Sequence, residues 1–452
     1  MKNKPVAYQN VLLLAAGYIF YGWWDWRFLS LIFFTSSVDF LIGVGLGKTE
    51  IKKNRKIFLV TSIFLNIGLL FFFKYFNFFI DSWINLLSLF GIHSSPSTLN
   101  IILPVGLSFY TFQSIAYVID VYRKQIEPER NYLSFLAFVS FFPQLVAGPI
   151  SRASQLLPQF SQKRIFIYED AVVGMRHILW GLFKKCVIAD RLAYTVDLIY
   201  ADSGSYHGLP VIIATIFFAL QIYCDFSGYS DIALGTARLF GFNLVENFRT
   251  PYFSSSFREF WQRWHISLSQ WFRDYVYIPL GGSRAKTHRW IFNLMITFII
   301  SGFWHGANYT FIIWGFLHGL FLTVESLAKR KFSFSWLPKG VKMLIVFLSV
   351  TFAWIFFRSH SLNDALQVIS NLTHVDRAFD MTGLFRSADE MKFTLYSLLL
   401  FILLETSLRD GRILMIGKYK PWLRWPVYYL VCFWIIFFGE FEFAPVFIYF
   451  QF

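Results

Sequence analysis

Apolar residues run through this chain in long stretches broken by short polar segments, and several stretches approach the roughly 20 residues that a helix needs to cross a bilayer. The pattern predicts spans at about residues 8–27, 29–46, 57–80 and 101–122, a further apolar run from about 209 to 240, and ten or eleven membrane segments in all. Residues 251–288 break it, because they carry too many polar side chains for a lipid-facing span. They read instead as interfacial or re-entrant helices buried against protein. No period of 20–50 residues and no linker appears, so residues 1–452 read as one domain. The first apolar segment runs into Gly22-Trp23-Trp24-Asp25-Trp26 rather than a small-residue cleavage site, which predicts an anchor helix.

Composition agrees: 56% of residues are hydrophobic and only 15% charged, which predicts an all-α polytopic membrane protein. An aromatic share of 21% exceeds what interfacial belts need, so aromatic side chains are expected to line the helix bundle as well. The net charge of +14 is spread between apolar spans, a distribution that reports topology rather than a nucleic-acid surface. Lys2, Lys4 and the loop 48–56 fall two crossings apart, on the cytoplasmic side by the positive-inside rule. Residues 81–100 and 192–210 lack Lys and Arg and are expected outside. Residues 238–289 carry Arg238, Arg249, Arg258, Arg263, Arg273, Arg284, Lys286 and Arg289 and are expected inside, as are Lys329-Arg330-Lys331 and the basic group from Arg409 to Arg424.

Several soluble-enzyme motifs drop out. Gly47-Lys48-Thr49 lacks the first glycine of a phosphate loop, since position 42 is Ile, and Gly43-Val44-Gly45-Leu46-Gly47 fits close helix packing better than a dinucleotide site. Cys186, Cys224 and Cys432 form neither a disulfide pattern nor a zinc pattern, and no metal is expected.

What remains centres on histidine. His305 lies in Gly302-Phe303-Trp304-His305-Gly306-Ala307-Asn308, within apolar sequence where a titratable side chain is a functional-site hypothesis. Burial favours the neutral imidazole that a general base needs, although a core histidine tying helices together would look the same. His265, in Trp261-Gln262-Arg263-Trp264-His265, reads either as a second functional histidine or as a residue beside an aromatic belt. His318 follows His305 by thirteen residues, about 220° round an ideal helix, and is expected to be structural with at most a supporting role. Gln221 and Asp225 share a helical face in Cys224-Asp225-Phe226-Ser227-Gly228, so Asp225 is expected to orient a histidine, pair with an arginine or bond another helix.

These stretches together resemble the membrane-bound O-acyltransferase (MBOAT) family, in its bacterial alginate O-acetylase branch. The resemblance rests on Leu103 to Tyr110, Tyr117 to Arg123, Phe142 to Ile150, Cys224 to Asp231, Phe260 to Gly282, Trp304 to Asn308 and the terminal Tyr449 to Phe452. It places the family's catalytic histidine on His305 and its second functional histidine, in the Arg-Trp-His motif, on His265. Arg263, Trp264, Arg273, Asp225, Ser227, Trp304 and Asn308 become candidates for donor binding or tunnel lining. Family members usually carry one more hydrophobic segment ahead of the position of Ala7, a departure that leaves these motifs untouched.

The resemblance implies an all-helical enzyme of the bacterial cytoplasmic (inner) membrane, with inner and outer funnels meeting at His305 in a central tunnel. It implies no permanently bound cofactor. A cytoplasmic thioester donor, acetyl-CoA or a carrier-linked acyl group, would supply an acetyl group for an extracytoplasmic polysaccharide such as alginate. A separate periplasmic or surface acetyltransferase would complete the transfer. Two alternatives stay open: D-alanyl transfer to teichoic acid from a carrier protein, and a transporter that uses buried His and Asp.

Overall fold

The computed structural model describes residues 5–92, 99, 101–373, 381–407, 419–442 and 445–448. Parts of the expected outer loop (residues 93–98 and 100), most of the basic group that starts at Arg409 and the terminal Tyr449 to Phe452 lie outside the described residues. Every regular element among the described residues is helical, with no strand. Six stretches are long and apolar enough to cross a membrane: Val6–Lys48, Lys52–Ser88, Leu209–Leu239, Tyr309–Lys331, Lys339–Arg358 and Pro421–Phe438. The chain is thus a multi-pass membrane protein.

Contacts divide it into two compact units, residues 1–171 with 236–245, and residues 172–235 with 246–452. The first holds α1 (Val6–Asp25), α2 (Leu29–Lys48), α3 (Lys52–Leu70), α4 (Phe76–Ser88), α5 (Leu107–Tyr122), α6 (Tyr132–Val139), α7 (Phe142–Leu145) and α8 (Ala153–Phe160). The break between α1 and α2 falls at Asp25, whose carboxylate accepts from the backbone and side chain of Arg27. Polar side chains join these helices where water is absent: Ser62 and Asn66 of α3 donate to buried Asp39 of α2 at 2.6 and 2.9 Å. The glycine-rich segment of α2 packs closely, since a Cβ at Gly43 would meet the Tyr117 ring and one at Gly47 would meet Pro128. The expected span at 101–122 is a 16-residue helix, α5, buried along most of its length, because its apolar side chains meet protein instead of lipid.

The second unit holds α9 (Tyr168–Leu182) apart from its first turn, α10 (Asp190–Ala201), α11 (Leu209–Leu239) apart from its last turn, and α12 (Phe257–Arg263). After these come α13 (Ile266–Phe272), α14 (Thr287–His305), α15 (Tyr309–Lys331), α16 (Lys339–Arg358), α17 (Leu362–Asn371), α18 (Ala388–Ser407) and α19 (Pro421–Phe438). Residues 251–288 form only short helical pieces, none able to cross a bilayer. The pair α14 and α15 folds back on itself at Gly306-Ala307-Asn308 and packs backbone to backbone. A Cβ on Gly302 would collide with the Phe311 carbonyl, and one on Gly315 with the Phe298 carbonyl. Lipid tails are as apolar as any side chain, so this dispersion contact between small residues is what joins the two helices.

Gly302→Ala is therefore expected to cost about 1–3 kcal/mol through overpacking and to lower the unfolding temperature of detergent-purified protein. Gly68→Ala, in α3, where an added methyl meets nothing within 4 Å, should leave that temperature unchanged or slightly raised.

Candidate active site

His305 is the last residue of α14, and the chain turns directly after it. Asn308 makes the turn stable: its Oδ1 accepts from Thr310 N at 3.0 Å as the N-cap of α15, and its Nδ2 donates to His360 O at 2.7 Å. A Cβ on Gly306 would strike the Phe311 ring, so the turn fits only a residue without one. The fold-back lays Trp314 against His305, with ring centroids 5.0 Å apart, while Trp304 and Phe357 flank the imidazole at 4.9 and 5.3 Å. His305 is buried.

His265 stands at a second helix break, between α12 and α13, with φ 41° and ψ 55°. That left-handed conformation is rare outside glycine, and such residues persist only where their surroundings hold them. Here the extended segment 247–249 does so. Arg249 N donates to Arg263 O at 2.9 Å and Ile266 N to Asn247 O at 2.9 Å. Asn247 Oδ1 accepts from Ser267 N at 3.2 Å and from Ser267 Oγ at 2.7 Å. The His265 ring is fully buried against Phe226 at 4.7 Å and lies 6.5 Å from Trp304, so Trp304 touches both histidines. Burial lowers the imidazole's affinity for a proton and keeps it neutral.

Trp264 belongs to the same aromatic body, stacked on Phe260 at 5.6 Å and against Trp354 at 5.0 Å. Other candidates lie apart from the histidines' contacts. Asp225 accepts from Lys185 at 2.8 Å and from Ile448 N at 2.8 Å. Its partner is thus a lysine from the π-helical turn after α9 rather than a histidine or arginine, because that turn carries Lys185 to α11. Ser227 accepts from Lys184 Nζ at 3.0 Å. Arg263 pairs with Glu259 at 2.9 Å within its own helix, and exposed Arg273 with Asp274 at 2.8 Å.

His318 lies on a different helix from His305. The helical-wheel separation from His305 assumed one helix, whereas the two histidines lie on α14 and α15, and Trp314 touches both, with its centroid 4.7 Å from that of His318. His318 is fully buried among Phe260, Trp261, Trp314, Phe321 and Trp354. Its ring nitrogens have no hydrogen-bond partner among the described residues.

A buried polar network that sequence reasoning missed lies in the same unit. Lys184 pairs with Asp231, Asp231 also meets His177 Nδ1 at 3.2 Å, and Tyr223 donates to Glu405. These residues line a cavity of about 70 Å³ together with Asn247, Ser230 and Arg249. The available signal was Lys184 and Glu405, ionisable residues inside otherwise apolar runs. Among the described residues no group of three or more His, Cys, Asp or Glu is placed to hold a metal ion.

The chain belongs to the membrane-bound O-acyltransferase family, whose model matches residues 127–363 and so spans both histidines. It is an O-acyltransferase. It is 40% identical to the probable alginate O-acetylase AlgI of Azotobacter vinelandii over 366 residues, covering 80% of this chain and 72% of the relative. The peptidoglycan O-acetyltransferase of Helicobacter pylori is 34% identical over 398 residues, covering 82% and 74%. A teichoic acid D-alanyltransferase of Bacillus subtilis is 27% identical over 273 residues, covering 57% and 68%.

His318→Phe preserves volume and the aromatic surroundings, so it should keep acyl transfer within about tenfold of wild type per folded molecule, whereas His318→Ala should first lose folded protein. Complete inactivity of well-folded His318→Phe would move this residue into the chemistry.

Proposed function

We propose that the protein transfers an acetyl group from a cytoplasmic thioester, acetyl-CoA in the first instance, for O-acetylation of an extracytoplasmic polysaccharide such as alginate or another cell-envelope glycan. The observation that carries this reading is the pair His305 and His265, both buried and both against Trp304. The relatives' names supply the substrate class: the acetylases match over about four-fifths of the chain, and the D-alanyltransferase over little more than half.

In this mechanism neutral His305 takes the proton of an acceptor hydroxyl as its oxygen attacks the thioester carbonyl. The C–S bond then breaks, and the thiolate leaves with the proton that His305 returns. His265 stabilises the charged intermediate or orients the reacting groups. Arg273, exposed beside its Asp274 partner, is the stronger of the two arginine candidates for donor phosphates, since Arg263 is held by Glu259 and by the Arg249 carbonyl. We place loop 48–56 and residues 238–289 in the cytoplasm and residues 81–100 and 192–210 outside, in a single MBOAT domain of ten or eleven membrane segments around a central tunnel. The site is the bacterial inner membrane, and a separate periplasmic or surface acetyltransferase completes transfer to the polymer.

His305→Ala should abolish polymer acetylation with membrane abundance near wild type, and His265→Ala should lose most of it. Labelled acetyl-CoA with reconstituted protein and a hydroxyl acceptor is the direct assay. Consumption of a carrier-protein thioester but not of acetyl-CoA would replace the acetylase reading with the aminoacyl one.

Topology has its own test. In a background without the three native cysteines, a cysteine at exposed Ser205 should react with an impermeant thiol reagent in cells whose outer barrier is opened, and one at exposed Asn54 should not. The reverse pattern would invert the direction of transfer.

A further inference from the structure

The α14–α15 hairpin carries His305 at one end and a crowd of positive charge at the other. Residues 275–363 hold nine Lys and Arg against a single acidic residue, Glu325. That carboxylate is already taken by Lys329 of its own helix. Lys286 and Arg289 at the start of α14, and Arg330 and Lys331 at the end of α15, are exposed and form no ion pair among the described residues. Close packing keeps these charges together, because Gly302 and Gly315 bring the two backbones into contact. Arg330 also reaches across to Thr287 Oγ1 at 3.3 Å, with its guanidinium 5.0 Å from the Trp290 ring. The carbonyl end of α15 offsets part of the charge, but the uncapped amides that open α14 add to it. Like charges so confined repel, and a counter-charge would stabilise this end of the hairpin.

Exposed apolar stripes run up to two of the charges. On α15, Phe316, Leu320 and Val324 follow one another at four-residue steps, and Lys331 continues that face seven residues on. On α14, exposed Ile300 and Phe292 lie on the face that ends in Arg289, whose guanidinium is 5.1 Å from the Phe292 ring. An apolar stripe topped by a cation matches a molecule with a hydrocarbon tail and an anionic head. A water-soluble anion would leave the stripe unused.

We propose that anionic phospholipids bind at the basic end of this hairpin, with acyl chains along the two stripes and phosphodiesters at Arg289 on α14 and at Lys331 on α15. They supply the counter-charge that the chain itself lacks there. The inference concerns the scaffold that carries His305 and does not depend on which acyl group is transferred.

The test is binding rather than turnover. Delipidated full-length protein in detergent is titrated with phosphatidylglycerol and with phosphatidylcholine of the same acyl chains, and its unfolding temperature is followed. Phosphatidylglycerol should raise that temperature more than phosphatidylcholine does, and salt should shrink the difference. The double variant Arg289→Gln with Lys331→Gln removes one charge from each stripe and should raise the half-saturating phosphatidylglycerol concentration about fivefold. Lys52→Gln with Lys53→Gln, which removes two exposed charges from the basic loop 48–56, should leave it unchanged.

Equal stabilisation by the two lipids, or an equal shift in the Lys52 and Lys53 control, would overturn the site and leave charges that only set topology. Acetyl-CoA that reproduces the stabilisation without lipid, at matched ionic strength, would assign these charges to a soluble phosphate and overturn it as well. Should the double variant fail to fold, native mass spectrometry of Arg289→Gln takes its place. That variant should retain fewer phosphatidylglycerol molecules than wild type, and equal retention would overturn the proposal.

Discussion

Everything about the site follows from one constraint: a helix that ends inside an apolar body leaves backbone amides and carbonyls without partners, and there is no water to take them. Helices end at both candidate histidines, at Trp264-His265 and at His305-Gly306. Each break is tied by an asparagine from elsewhere in the sequence or from the turn itself. Asn247 receives Ile266 N and Ser267 N, and Asn308 caps α15 while bonding the His360 carbonyl. Since a histidine within a continuous helix would have its backbone fixed by its neighbours, a break is what allows the ring direction to be chosen.

The second layer is aromatic. Trp304, Trp314, Phe226 and Phe357 surround the two histidines, and Trp264, Phe260 and Trp354 back them. Rings of this size fill space with few rotamers, so they fix the imidazoles without competing for their nitrogens. They also keep the surroundings dry, which holds the His265 imidazole in its neutral form. The glycines at 302 and 315 belong to this design, because only their contact brings Trp314 onto His305.

Charged residues are handled differently. Lys184 with Asp231, Lys185 with Asp190 and Asp225, and Arg191 with Glu390 are ion pairs among helices α9 to α18, each with at least one buried partner. Removing one member would strand the other, which is the costly event for a buried pair. Asp225 and Ser227, candidates by motif, both bond to lysines of this set, Asp225 to Lys185 and Ser227 to Lys184.

Much was written in the sequence by itself. Long apolar runs with few charges gave α1, α2 and α11 nearly to the residue, because a helix in lipid must satisfy its own backbone and has no alternative. Motif context singled out His265 and His305, since a titratable residue in such surroundings is rare without purpose. Only the tertiary structure decided which side chains meet. That α5 is buried rather than lipid-facing, that His318 touches Trp314 from another helix, that Asp225 meets Lys185, and that Asn247 holds His265 all depend on chain reversals. Periodicity reports the face a residue occupies within one element, and contacts across a glycine turn or between residues 247 and 267 leave no periodic trace.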